Sequence, residues 1–258
     1  MSRTLLAAGS LSAALALCAL PAHAADIGGT DVAVSVGVDY VDEYVFRGFS
    51  FADASIQPYV EAGIGNFTIG LWANNPVGDD ADFGTDEVDL YASYGFELTD
   101  AVSASIGATY YHFPEGGGFF GTDGGATGTY EVSAGLALDN PVSPFVNAYY
   151  DFTLEAVTVE GGVEYGIDTG ERSSIGLGLT GGYVEADGAG DYGWATASAG
   201  WSFALTDDAS FNAGVNYSVN TDDNTLGFSV DRSRAIPVQI ANDSDNLFWS
   251  GIGISAGF

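Results

Sequence analysis

The sequence has no lysine and five arginines against 35 acidic residues, a formal net charge of −30. Phosphate backbones are held by Lys and Arg, so no nucleic-acid partner is expected. Solubility or a salty habitat would give the same acidity, and composition alone does not separate these origins. Cysteine occurs once, at Cys18 inside the leader-like start of the chain. The rest therefore has no disulfide framework and no thiolate chemistry. Histidine occurs twice, and only His112 lies beyond that start. A Ser-His site needs a serine, a histidine and an orienting group together; no spacing around His112 suggests one, and no enzyme is expected. Beyond the leader no run approaches 18 apolar residues, which excludes a helical membrane protein. Yet 47% of the residues are hydrophobic, too many for a disordered chain.

The start reads "MSRTLLAAGSLSAALALCALPAHA", with Arg3, an apolar stretch from Leu5 to Leu20 and small residues at Ala22 and Ala24. This is the pattern of a secretory signal peptide over residues 1–24, cut after Ala24. A retained anchor is the competing reading, but the stretch is short and interrupted by Ala, Gly and Ser. A lipoprotein site would want a small residue before Cys18, where Leu17 stands. Residues 25–258 are then one exported domain. With 37 glycines and 13% aromatics it has two natural homes, a secreted β-sandwich or solenoid and an outer-membrane barrel.

Period two runs through it. Val32, Val34, Val36, Val38 and Tyr40 share one parity; Ala33, Ser35, Gly37 and Asp39 share the other. That is strand periodicity, over about the 9–11 residues a tilted strand needs to cross a bilayer. The alternation resumes from Ile56, Phe67, Val88, Val102, Tyr130, Val146, Val157, Ile175, Ala195, Phe211 and Phe248. The expectation is all-β: a transmembrane antiparallel up-and-down β-barrel of about twelve strands.

The connections test this. With the N-terminus periplasmic, the inner turns are "GN", "TDA", "DNPVS", "DTGERS" and "TDDA", all short. The outer ones are "FSFADAS", "NPVGDDADFGT", "HFPEGGGFFGTDGGA", a tight "EA", "ADGAGD" and a long segment from about Asn220 to Asn246. Outer-membrane barrels sort their loops in this way. The aromatics agree. Phe67, Phe96, Trp201, Phe203, Phe211 and Phe258 flank the inner turns, and Tyr110, Tyr130, Tyr150, Phe152, Tyr183, Tyr217 and Phe248 flank the outer ones. Two girdles at headgroup level are the expected arrangement; the core of a sandwich is the alternative. The alternating segment "LFWSGIGISAGF" ends on Phe258. It would close the barrel against the first strand and give the barrel-assembly machinery its recognition signal.

"DEYVFRGFS", "PYVEAGIGNFTIGLWANN" and "DEVDLYASYGF" resemble the TorF-type family of outer-membrane porins, formerly conserved hypothetical proteins. The likeness is strongest over roughly residues 30 to 115. The resemblance implies an outer-membrane β-barrel with a transport role.

The inward parity carries Asp39, Glu43, Glu61, Glu87, Asp89, Glu97, Glu131, Asp151, Glu160 and Glu164 against one cation, Arg47. Rings of Asp and Glu between low-dielectric walls favour cations; the plainer reading makes them the wet side of a barrel, held with counter-ions. Arg47, four residues after Glu43, is expected to form an ion pair inside the lumen or to select solutes at a constriction. Twelve strands imply a narrow or plugged bore, and the long last loop and "PEGGGFFGTDGG" are candidates to fold inward. Clusters at Asp79, Asp80 and Asp82 and at Asp222 and Asp223 lack EF-hand spacing and read as solvated loop charge, so neither a metal nor a cofactor is expected. "GTDGGATG" has no Lys after its glycines and is no P-loop.

The expected function is a porin-like channel in the outer membrane of a Gram-negative bacterium, passing small solutes with a cation preference. Outer-membrane lipid and lipopolysaccharide, the assembly machinery and the solutes are its expected partners. The alternative is a non-conducting structural or adhesive barrel, plugged inside and binding a partner through its outer loops.

Overall fold

The computed structural model describes residues 24–27, 30–77, 86–120, 128–187, 190–221 and 246–258. A short strand β1 (Ala24–Ile27) pairs with the start of β2 (Thr30–Val41). A small hairpin follows, β3 (Tyr44–Phe46) and β4 (Phe49–Ala52), and forms a separate two-stranded sheet. The wall continues with β5 (Ser55–Ile64), β6 (Phe67–Pro76), β7 (Glu87–Thr99), β8 (Val102–His112), β9 (Gly128–Leu138) and β10 (Phe145–Asp151). Then come β11 (Ala156–Gly170), β12 (Ser173–Ala186), β13 (Gly190–Ala204), β14 (Ala209–Asn220) and β15 (Asn246–Gly257). Each wall strand pairs antiparallel with its neighbours in sequence, and β2 pairs with both β5 and β15. The result is a closed antiparallel barrel of twelve strands. Closure leaves no wall strand with a free edge, and a free edge in lipid would cost several kcal/mol per unpaired backbone group.

The faces are inverted relative to a soluble protein. Val38, Val60, Ile69, Leu136, Leu179 and Ile254 are exposed, while Ser55, Gln57, Asn74, Asp89, Ser210 and Ser218 are buried. Parity in the sequence cannot say which face is inside; the closed wall decides it, with the apolar parity outward as in a membrane barrel. At one end the strands join through residues 65–66, 100–101, 139–144, 171–172 and 205–208. The long connections sit at the other end. Phe258 lies at the short-turn end, its N–H and C=O both bonded to Val34 of β2 at 2.8 and 2.9 Å. Nearby, Trp201 packs on Phe203 and Phe211. At the long-loop end Tyr130, Tyr150, Phe152, Tyr183, Tyr217 and Phe248 face outward and are exposed.

Tyr110 departs from this second girdle. It shares the outward face, yet it is buried, because Phe119 and Phe120 pack on it with ring centroids 5.7 and 4.9 Å away. Phe119 also covers His112 at 4.2 Å. The part of "PEGGGFFGTDGG" within the described residues therefore lies against the outer wall and does not fold inward. Most of the long last loop, both acidic loop clusters and the leader up to His23 lie outside the described residues.

Candidate functional site: the lumen and the hairpin across it

The segment that enters the lumen is 42–54. Its root is tied to the wall by Asp42, which accepts bonds from the backbone N–H and the hydroxyl of Ser250, both at 2.7 Å. Its sequence explains its place. Tyr44, Val45, Phe46, Phe49 and Phe51 put apolar groups on both faces, so neither face suits a polar lumen wall, and the hairpin is covered all round. Tyr44 packs on Trp72 of β6 at 5.4 Å, Phe46 on Tyr111 of β8 at 6.1 Å, and Phe49 on Tyr192 of β13 at 4.4 Å. Val45 clusters with Leu247 and Trp249 of β15. The hairpin thus touches several sides of the barrel.

Its two-residue turn is Arg47-Gly48, with φ of 49° and 82°. Positive φ at both positions is what a type I′ turn demands, and glycine meets that demand at low cost. A Cβ at Gly48 would also meet Trp194 Cβ at 2.5 Å. Arg47 is the unusual partner, since a side chain in this region costs roughly 1–2 kcal/mol.

What Arg47 does from that position is clear in its contacts. Its two terminal nitrogens donate to both oxygens of Glu131 on β9, at 2.8 and 3.0 Å. A weaker contact reaches Thr158 Oγ1 on β11 at 3.4 Å. The guanidinium lies between the rings of Phe46 and Tyr149, 4.6 and 4.5 Å from their centroids. Burial works against its charge, but the facing Glu131 carboxylate more than offsets this and holds Arg47 above its ordinary value. The expected intraluminal ion pair exists, with a different partner. Glu43 stays near the root of the hairpin, half-buried beside Ser50, Asp53 and Asp42. Its burial raises the carboxyl above the ordinary value against a Ser50 hydrogen bond that lowers it.

The carboxylates divide by height. Glu87, Asp89, Glu131, Asp151 and Glu160 are buried at the level of the hairpin. Asp151 accepts the backbone N–H of Thr153 and of Leu154, both at 2.8 Å, and so shapes the tight turn after β10. Glu160 accepts the Tyr149 hydroxyl at 3.2 Å, and Glu131 that of Tyr111 at 3.0 Å. Asp89 accepts no hydrogen bond of normal geometry and has Glu87 beside it. Asp39 is half-buried near the long-loop end of β2, opposite Gln57 of β5, while Glu61 and Glu164 are half-buried toward the short-turn end, where Glu97 is exposed. The third of the lumen wall formed by β12 to β15 carries no charge on its inward parity. Gly176, Gly178, Thr180, Ser198, Asn212 and Asn216 are typical of it.

Tyrosines on the polar parity were not singled out in the sequence, and they shape the bore. Tyr91 of β7 lies across Gly70 of β6 and donates to Glu61 of β5 at 3.1 Å. Tyr59 of β5 lies across Gly37 of β2 and reaches Ser255 of β15. A Cβ at Gly37 would meet the Tyr59 ring at 2.5 Å. Glycine on the crossed strand lets each ring lie flat against the wall, so the lower lumen keeps its width. The signal for this arrangement is a tyrosine on the polar face paired with a glycine on the next strand.

Among solved structures, the NanC porin matches with a TM-score of 0.52 at 12% identity, over 86% of this chain and 98% of that one. The KdgM porin matches at 0.53 and 11% identity, over 88% and 99%. The structure of KdgM porin in complex with disordered oligogalacturonate gives 0.55 at 10% identity, also over 88% and 99%. At such identities the likeness is one of fold. No curated protein matches the sequence. The profile of the Gcw_chp family, bacterial proteins of unknown function, matches residues 25–238, and the chain belongs to that family.

Proposed function

We propose that the protein is an outer-membrane channel of the TorF type, exported by a cleaved leader, through which small solutes diffuse with a preference for cations. The observation that carries the reading is the divided lumen. Its short-turn half is acidic, with Glu61 and Glu164 half-exposed on the wall, and its long-loop half is narrowed by the hairpin 44–52. A narrow bore between low-dielectric walls focuses the field of such carboxylates. The resemblance of the first half of the chain to TorF-type porins and the shared fold of NanC and KdgM support a channel. The test is a planar-bilayer recording of the refolded barrel across a KCl gradient. Stepwise conductance with a cation-selective reversal potential is expected; silence from a folded, heat-modifiable barrel defeats the reading.

One observation favours a second reading, a plugged barrel that does not conduct. The hairpin contacts β6, β8, β9, β13 and β15 through buried and half-buried groups. Its outer loops would then be the working surface, binding a partner or lipopolysaccharide, and the same recording separates the two.

A further inference from the structure

A pocket of about 130 Å³ opens beside the hairpin tip. Its wall residues come from the hairpin and from the long-loop ends of the strands and their adjoining turns. Phe49, Phe51, Phe113, Leu154 and Tyr192 make it chiefly apolar, and Glu87, Glu131 and Asp151 reach it beside Arg47. We propose that this pocket binds a protonated amine with a single ring-sized apolar body, at the outer mouth of the barrel. The inference deepens the channel reading and rests on it for the direction in which the amine would travel.

Four observations carry it. The volume is close to that of an apolar cavity known to accept benzene, about 150 Å³, so it suits one ring and excludes a sugar chain. The charge is one-sided: three carboxyl groups line the pocket against one guanidinium, which both Glu131 oxygens already engage. An anion would find no free cation there. Behind Glu87 lies Asp89, wholly buried, its partner the Glu87 carboxyl itself; a positive charge placed near this pair of like groups would offset the cost of burying them together. Finally, the rings of Phe49, Phe51 and Tyr192 present the apolar and π surface that an organic cation prefers to water. A pocket with apolar walls and a few convergent polar groups is the usual form of a small-molecule site.

The test uses phenethylamine, its neutral counterpart 2-phenylethanol and the anion phenylacetate, titrated calorimetrically into the refolded full barrel in detergent. Phenethylamine is expected to bind about tenfold or more tighter than the alcohol, as for a charged hydrogen bond, and phenylacetate not at all. Glu87→Gln should remove most of the preference for amine over alcohol, while Phe113→Ala should weaken both. Asp151→Asn gives a second reading of the charge effect if Glu87→Gln folds poorly. Equal affinity for amine and alcohol overturns the proposal, as does absence of amine binding or indifference to both charge variants. The channel reading fails separately. A conducting barrel that ignores the amine loses only the pocket, and a silent barrel that binds it loses only the channel.

Discussion

Arg47 and Glu131 stand 84 residues apart in the chain and meet through two hydrogen bonds of 2.8 and 3.0 Å, inside the barrel and under the rings of Phe46 and Tyr149. This pair fastens a hairpin rooted at β2 to the far wall at β9 and β11. The left-handed backbone at Arg47 places its side chain where it reaches that wall, so the conformational cost at the turn and the ion pair belong to one device.

Removing one partner should free the hairpin. Glu131→Gln leaves a buried guanidinium without its counter-charge, a loss of about 3–5 kcal/mol, read from urea unfolding of the lipid-embedded barrel. Conductance per channel should rise, because the tip is no longer held across the bore. Arg47→Lys should rescue little, since an ammonium cannot reproduce the two parallel bonds or the stacking. Equal conductance in all three proteins would show that the hairpin is held by its aromatic contacts alone.

Selectivity should follow accessibility and not the number of carboxylates. Glu61→Gln with Glu164→Gln removes charge from the half-exposed part of the lumen, and the cation-selective reversal potential should move toward zero. Glu160 and Asp151, engaged by Tyr149 and by a turn, should change it less when neutralised. The comparison is made in one KCl gradient, and the opposite order would place the selective region at the hairpin.

The crossed tyrosines give a steric prediction. Gly70→Ala forces the Tyr91 ring off the wall and breaks its bond to Glu61, at a cost of about 1–3 kcal/mol for overpacking. The displaced ring enters the bore, so conductance should fall. Adding Tyr91→Phe should not restore it, because the clash is with the ring, whereas adding Tyr91→Ser should.

Phe258 separates two roles in a single residue. Phe258→Ala keeps both backbone bonds to Val34 and removes only the ring, while deletion of Phe258 removes the bonds as well. If the ring is the assembly signal, the alanine variant should already fold more slowly with the assembly machinery and normally in detergent. Equal assembly rates with the machinery would assign the residue to barrel closure alone.

Strand number, closure and loop sorting were legible because each rests on a local pattern, period two with turn residues between. The lumen carboxylates were legible from parity as well. The hairpin was not, because alternation runs from Val32 through Tyr40 into "DEYVFRG" and extends the first strand on paper. Two signals mark the break: consecutive apolar residues at Tyr44, Val45 and Phe46, which suit a strand covered on both faces, and Arg-Gly at a turn needing positive φ. Glu131 as the partner of Arg47 was beyond any local pattern, since only the closed barrel brings β9 opposite the hairpin tip.

The uncharged wall of β12 to β15 has its own consequence. Carboxylates on β2 to β11 face glycine, serine, threonine and asparagine across the bore, so the electric field inside points from one side to the other as well as along the axis. A solute with separated charges would be turned by that field before it advanced, its positive end toward the acidic wall and its remaining bulk along the small residues. The interior would then sort molecules by the direction of their dipole, a property that neither width nor net charge describes.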